Sequence, residues 1–362
     1  MDLKAFTNSD SAKIILNSIK AISKKECRLM EFCGGHTMAI FKYGLRQLLP
    51  PNITLISGPG CPVCVTSTGD LDMAIALSQR SDVIITSFGD LLRIPSNNGT
   101  LLQARSSGAD VRTVYSTLAA LDIAKQNPHK KVVFIGIGFE TTAPTIAAAI
   151  KQAADSGVNN FTVLCLCKLT PPVTHAILGS GQINLTGIIA PGHVSAIIGS
   201  DAWKFIPDKY RLPTVISGFE ETDILYCLEL LISQVEKNQA KVESAYTRSV
   251  PPQGNKVALD LMGELFESTR ADWRGIGILP NSGLKICQKY QDFDTVHVLG
   301  LEVSQESKEV PGCICGDIIR GLKTPMECNL FLKGSCTPQN AKGPCMVSSE
   351  GTCAAYYQYG TY

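Results

Sequence analysis

Short runs of Val, Ile, Leu and Phe, each closed by a loop rich in Gly or Pro and followed by a helical pattern, fill the first two-thirds of the chain. Ile53–Ser57 runs into Gly58-Pro59-Gly60, and Val83–Ser87 into Phe88-Gly89-Asp90. Residues 132–137 lead into Gly138-Phe139-Glu140-Thr141-Thr142, and 161–167 into Thr170-Pro171-Pro172. Residues 187–190 lead into Pro191-Gly192-His193, and 215–217 into Gly218-Phe219-Glu220. Unbroken β-branched runs, as opposed to alternating ones, belong to strands buried on both faces, the mark of parallel sheets. The pattern predicts an α/β chain with two Rossmann-like parallel-sheet lobes. Ligands of such folds bind at the carboxyl ends of the strands, where Cys61, Cys64, Glu140 and His193 all fall.

Residues 1–25 alternate apolar and polar positions in a helical way. Asn127-Pro128-His129 separates the first strands from the later ones, which places a first lobe at 26–127 and a second at 128–250. The loop at Gly138 has a partial echo at Gly218-Phe219-Glu220-Glu221-Thr222. Pro251-Pro252-Gln253-Gly254 reads as a linker. A helix over 256–268 and then irregular, cysteine-rich sequence make up a third domain, 251–362, held by metal as much as by a core.

Composition narrows the possibilities. A chain of 362 residues with a formal net charge of +1 gives no electrostatic case for nucleic acid or an anionic membrane. No apolar run reaches the roughly 18 residues of a membrane span, and the N-terminus lacks the pattern of a signal peptide. The expectation is a soluble cytoplasmic protein. Fourteen cysteines in a reducing compartment then point to metal binding or thiol chemistry before a disulfide framework. Cys27, Cys165, Cys167, Cys227 and Cys287 lie in or beside apolar stretches and read as small buried hydrophobes.

Six of the cysteines fall between Cys313 and Cys353. Cys315, Cys328, Cys336 and Cys353 are separated by twelve, seven and sixteen residues, with Cys313 and Cys345 as further thiols that can substitute. Wide spacing with many Gly and Pro turns suits an iron–sulfur cluster, whereas structural zinc favours close Cys-x-x-Cys pairs. In Cys33-Gly34-Gly35-His36-Thr37 the glycines clear space beside a thiol. There His36 is either a metal ligand or a partner that keeps Cys33 as thiolate. Cys61-Pro62-Val63-Cys64 opens a helix, so its first thiol is acidified; the pair is a redox couple or half a metal site. Around Gly138 no dinucleotide fingerprint is complete, because Thr141 stands where the third Gly belongs, and no Walker-type Gly-Lys-Ser/Thr occurs. Glu140, Thr141 and Thr142 either cap a helix or line the crevice, and His193 has a local backbone role or a catalytic one.

Together the segments Cys33 to Thr37, Gly58 to Thr66, Gly138 to Thr142 and Cys345 to Tyr357 resemble the HypD family of hydrogenase maturation proteins, in family order across nearly the whole chain. The resemblance implies two α/β domains and a third holding one [4Fe–4S] cluster. It further implies an assembly protein, acting within a complex, that builds the Fe(CN)₂CO group of [NiFe] hydrogenase. Its partners would be a HypC-type small chaperone and a HypE-type cyanide donor. Carried over by motif, Cys33 holds the iron with its CN and CO ligands, and His36 is its neighbour. Cys61 and Cys64 are the thiol/disulfide pair, and Cys315, Cys328, Cys336 and Cys353 hold the cluster. Because moving cyanide from a thiocyanate to iron is reductive, electrons are expected to run from the cluster through Cys61/Cys64 to the Cys33 site. Two rivals differ in class: a stand-alone iron–sulfur thiol–disulfide oxidoreductase, and a docking scaffold with a structural metal.

Overall fold

The computed structural model describes residues 10–301 and 310–360. Eleven strands occur among the described residues, in chain order β1 (Cys27–Glu31), β2 (Ile53–Ser57), β3 (Val83–Ser87), β4 (Val111–Thr113), β5 (Lys131–Gly136) and β6 (Phe161–Cys165). They continue with β7 (Gly187–Pro191), β8 (Thr214–Ser217), β9 (Val242–Ser244), β10 (Phe266–Trp273) and β11 (Gly277–Ile286). One all-parallel sheet has the order β2-β1-β7-β8-β9, and a second has β4-β3-β5-β6. The α/β class with parallel sheets is therefore as the sequence pattern predicts. Fully buried runs such as Val83–Ser87 and Thr214–Ser217 lie at the centres of these sheets, wrapped by helices.

The two sheets divide the chain differently from the expected boundaries. The break at 127/128 falls inside the second sheet, between β4 and β5, while β1, with β2 on its other side, pairs with β7, which begins at Gly187. Leu29 lies opposite Gly187, so the first lobe is built from two distant stretches and the second lobe is an insertion between them. The expected helix over 256–268 ends at Leu265, and β10 begins at the next residue. Its partner β11 forms an antiparallel hairpin with it, so the third region is less irregular than its sequence suggests.

That hairpin ties the lobes together. Thr66 bridges to Trp273, the Arg274 amide donates to the Val65 carbonyl at 2.9 Å, and Arg274 Nε donates to the Thr66 carbonyl at 3.0 Å. Phe139, in the loop after β5, stacks on Trp273 with ring centroids 6.0 Å apart. One apolar cluster contains Met30 and Ile216 of the first sheet, Phe139 of the second, Trp273 of the hairpin and Cys315, Cys336, Cys345 and Cys353 of the tail. The cysteine-rich tail is thus packed into the body of the protein. Among the described residues no helix is long and apolar enough to cross a membrane.

Candidate metal and thiol site

β1 and β2 are adjacent and parallel, with Glu31 opposite Ser57. Their following loops therefore leave the sheet side by side, and these loops carry Cys33 and the Cys61/Cys64 pair. Two backbone hydrogen bonds lace them: the Gly58 amide donates to the Glu31 carbonyl at 2.8 Å, and the Gly34 amide to the Gly60 carbonyl at 2.9 Å. The approach is so close that a Cβ on Gly60 would overlap the backbone of Cys33. Here the absence of a side chain is a steric requirement.

Cys33 precedes the helix Gly34–Lys42. Its amide donates to the Glu31 carboxyl at 2.8 Å, and the Thr37 hydroxyl donates to the other oxygen of the same group. Burial pushes the Glu31 carboxyl up to about 8, against those hydrogen bonds. Desolvation, followed by the nearby Glu350 and Glu31 carboxyls, pushes the Cys33 thiol up to about 12, opposed by the amides of His36 and Gly35. Cys33 is a thiol until a cation or a base takes its proton.

His36 is fully buried, and its Nε2 faces two carbonyls, Gly218 at 3.0 Å and Ser217 at 3.2 Å. Carbonyls only accept, so Nε2 carries the proton and Nδ1 the lone pair. That Nδ1 is buried with no hydrogen-bond partner in the protein. Burial lowers the His36 pKa to about 4. The ring is therefore neutral, with a buried lone pair at Nδ1 three residues beyond Cys33.

Phe219, in the Gly218 echo, stacks between two imidazoles, at 4.6 Å from His36 and 3.8 Å from His193. A Cβ on Gly35 would touch both Phe219 and the Cys33 sulfur, so the aromatic stack and the thiol flank the same glycine. The turn is fixed from below: Arg248 grips the buried Asp223 carboxylate with two bonds of 2.7 Å, and that carboxylate accepts from the Glu220 amide at 3.3 Å. His193 therefore does reach the Cys33 region, through Phe219.

Glu140 does not. Its buried carboxyl accepts from the Thr170 amide at 2.8 Å and from the Thr170 hydroxyl at 3.2 Å, all within the second lobe. Burial raises it to about 7. Thr142 precedes the helix Ala143–Asp155 without a side-chain cap bond, and its side chain occupies the space where a Cβ on Gly138 would point. Among the described residues no hydrogen bond or ring contact joins Glu140, Thr141 or Thr142 to Cys33.

Cys61 and Cys64 form a disulfide, with Cα atoms 5.2 Å apart, and the Cys61 sulfur also accepts from the Cys64 amide at 3.2 Å. Both are buried. A narrow cavity beside them is lined by Gly34, Pro59, Cys61, Cys64, Cys345 and Glu350. Cys345 also lines a second cavity, whose wall contains all six tail cysteines together with Ile318, Leu330, Phe331 and Met346. The Cys315 and Cys345 sulfurs lie 2.6 Å apart. The Lys342 amide donates to the Cys336 sulfur at 3.3 Å. Gly343 faces the Cys313 sulfur where any side chain would collide. Among the described residues no three His, Cys, Asp or Glu side chains gather closely enough to hold a single metal ion. The donor set of the six-cysteine cavity is all sulfur in apolar walls, which fits a thiolate-bound iron–sulfur cluster in chemistry and number.

Residues 10–360 match the family described as the hydrogenase formation hypA family, HypD. The chain belongs to the HypD family. It is 49% identical over 348 residues to the hydrogenase maturation factor HypD of Azotobacter vinelandii, covering 94% of this chain and 91% of that protein. It is 47% identical to the hydrogenase expression/formation protein HupD of Azotobacter chroococcum, over 93% of this chain and 90% of that one. With the HypD of Escherichia coli it shares 43%, again over 93% and 90%. The HypD resemblance read from the four motifs thus extends over the whole described chain. Those motifs gave no sign of the Cys315–Cys345 pairing or of Phe219 as the spacer between His36 and His193. The repeated Gly-Phe-Glu phrase was the one sequence signal pointing at Phe219.

Proposed function

We propose that this chain is a hydrogenase maturation factor that holds an iron carrying CN and CO ligands at Cys33 while the ligands are installed, in complex with a HypC-type chaperone and a HypE-type cyanide donor. The observation that carries the reading is the gathering of thiols: Gly34 of the Cys33 loop, the Cys61–Cys64 disulfide and Cys345 line one narrow cavity, and Cys345 also lines the six-cysteine cavity. Iron is the cargo. It displaces the Cys33 proton, and the buried lone pair of His36 Nδ1 is a neighbouring donor available to the cargo.

The 2.6 Å approach of Cys315 to Cys345 supports treating those two as a second thiol/disulfide couple. Cys313, Cys328, Cys336 and Cys353 then remain as the four ligands of a [4Fe–4S] cluster, with Cys313 in place of Cys315. When bound, such a cluster stores and releases single electrons. The chain's own thiols do the rest by exchange: the Cys345 thiolate attacks the Cys61–Cys64 disulfide, which becomes a dithiol as Cys315–Cys345 becomes a disulfide. Two electrons thereby arrive beside Cys33, where transfer of cyanide from a thiocyanate to iron consumes them.

The test is complementation of a host lacking its own factor. Cys33→Ala should abolish hydrogenase maturation, while Cys227→Ala, in the core beneath β8, should leave it intact. Maturation by Cys33→Ala would exclude the reading. Turnover of a small disulfide by the isolated chain, with no effect of Cys33→Ala, would favour the stand-alone oxidoreductase.

A further inference from the structure

A cavity of about 320 Å³ lies between the end of β6 and the β10–β11 hairpin, away from the Cys33 loop. Its size is that of a small-ligand site, and its walls are mostly apolar. Met73, Leu284 and Val296 supply apolar wall, and Cys165, Cys167 and Lys168 line it from the strand end. The backbone there is fixed by the hairpin: the Leu284 amide donates to the Cys167 carbonyl at 3.1 Å, and the Leu169 amide to the Ser282 carbonyl at 2.8 Å. Residues two apart on an extended chain share a face, so both thiols line the same wall. Cys165 is partly exposed, and Cys167 is buried.

Lys168 is only 3% exposed and meets one carboxylate, Asp70, at 3.4 Å, with the Trp273 ring 5.9 Å away. An ammonium has three N–H donors, so it retains capacity for an oxygen of a molecule in the cavity. The Cys167 thiol donates to the Gly136 carbonyl at 3.5 Å, and the interaction of the two neighbouring thiols lowers the Cys165 pKa and raises that of Cys167. An accessible, favoured nucleophile beside a buried second thiol is the arrangement of an exchanging dithiol. Neither thiol has a place in the Cys33 chemistry.

We propose that Cys165 and Cys167 form a further redox couple that exchanges with a low-molecular-weight disulfide of amino-acid or peptide type seated in this cavity. The Cys165 thiolate attacks one sulfur of the small disulfide, its S–S bond breaks, and one thiol leaves. Cys167 then loses its proton and attacks the Cys165 sulfur of the mixed disulfide, expelling the second thiol. The protein pair is oxidised by two electrons, and the small disulfide is reduced to two thiols.

The sequence makes the test clean. Trypsin releases residues 152–168, which contain Cys165 and Cys167 and no other cysteine, and residues 212–237, which contain Cys227 alone. The folded protein, purified anaerobically, is treated with oxidised glutathione, quenched in acid, unfolded, alkylated and mapped. The 152–168 peptide should lose its doubly alkylated form and appear lighter by two hydrogens, while the buried Cys227 stays fully alkylated. Cys167→Ser should trap glutathione on Cys165. Survival of both thiols to the same extent as Cys227 would overturn the proposal, as would equal reaction of Cys167 in a Cys165→Ser variant. The readout is independent of iron, of cyanide and of hydrogenase, so its failure leaves the Cys33 reading untouched.

Discussion

Cys345 and Cys315 approach to 2.6 Å between their sulfurs, and Cys345 alone among the six tail cysteines also faces the Cys61–Cys64 disulfide. One residue thus borders both the cavity suited to a cluster and the space in front of the Cys33 loop. This relationship separates the tail cysteines into two sets. Serine at Cys313, Cys328, Cys336 or Cys353 should lower the bound iron and bleach the visible absorbance of anaerobically purified protein. Serine at Cys315 or Cys345 should leave both in place and impair maturation.

The Cys61–Cys64 disulfide is buried against the Cys33 loop, and neither of its cysteines is among the proposed cluster ligands. Cys61→Ala should therefore keep its iron content and absorbance and fail to mature hydrogenase. Full maturation by this variant would remove the pair from the chemistry.

Two glycines should respond in opposite directions. A Cβ on Gly60 meets the Cys33 backbone, whereas Gly263, within the helix Lys256–Leu265, has open space around it. Gly60→Ala should destabilise by about 1–3 kcal/mol through forced backbone movement and cost activity with it. Gly263→Ala should stabilise by about 0.5–1 kcal/mol through helix propensity alone. Thermal unfolding of the two variants beside the parent decides this.

Glu140 gives a pH signature. Its carboxyl titrates near 4.5 when unfolded and is raised to about 7 by burial in the fold. Between those values the folded chain binds the extra proton, so stability declines as pH rises from about 4.5 to about 7 and then levels off. The full separation corresponds to roughly 3 kcal/mol. Glu140→Gln keeps an acceptor for Thr170 and cannot ionise. It should match the parent near pH 4.5 and exceed it at pH 8, as read by urea denaturation at the two pH values.

Much of this architecture was legible because parallel strands buried on both faces advertise themselves. The runs at Ile53–Ser57 and Val83–Ser87 appear as strands with those bounds. β1 gave no such signal, because Arg28 and Glu31 interrupt it, and Glu31 is buried there to receive the Cys33 amide and the Thr37 hydroxyl. β10 and β11 were hidden by exposed polar faces such as Glu267, Ser268 and Lys285. The division into lobes was not readable at all, since pairing of Leu29 with Gly187 is a long-range choice that no local pattern encodes. The same holds within the site. The motifs carrying Cys33, Cys61 and Cys64 sit together as adjacent strands require, whereas Glu140 carries an equally suggestive motif and faces Thr170.

The central claim is that iron with its diatomic ligands rests on Cys33, and infrared spectroscopy reads it most directly. Protein purified anaerobically with its maturation partners should show CN and CO stretching bands. Cys33→Ala should lose those bands while retaining the visible absorbance of the cysteine-rich tail. Bands of undiminished intensity in Cys33→Ala would contradict the account.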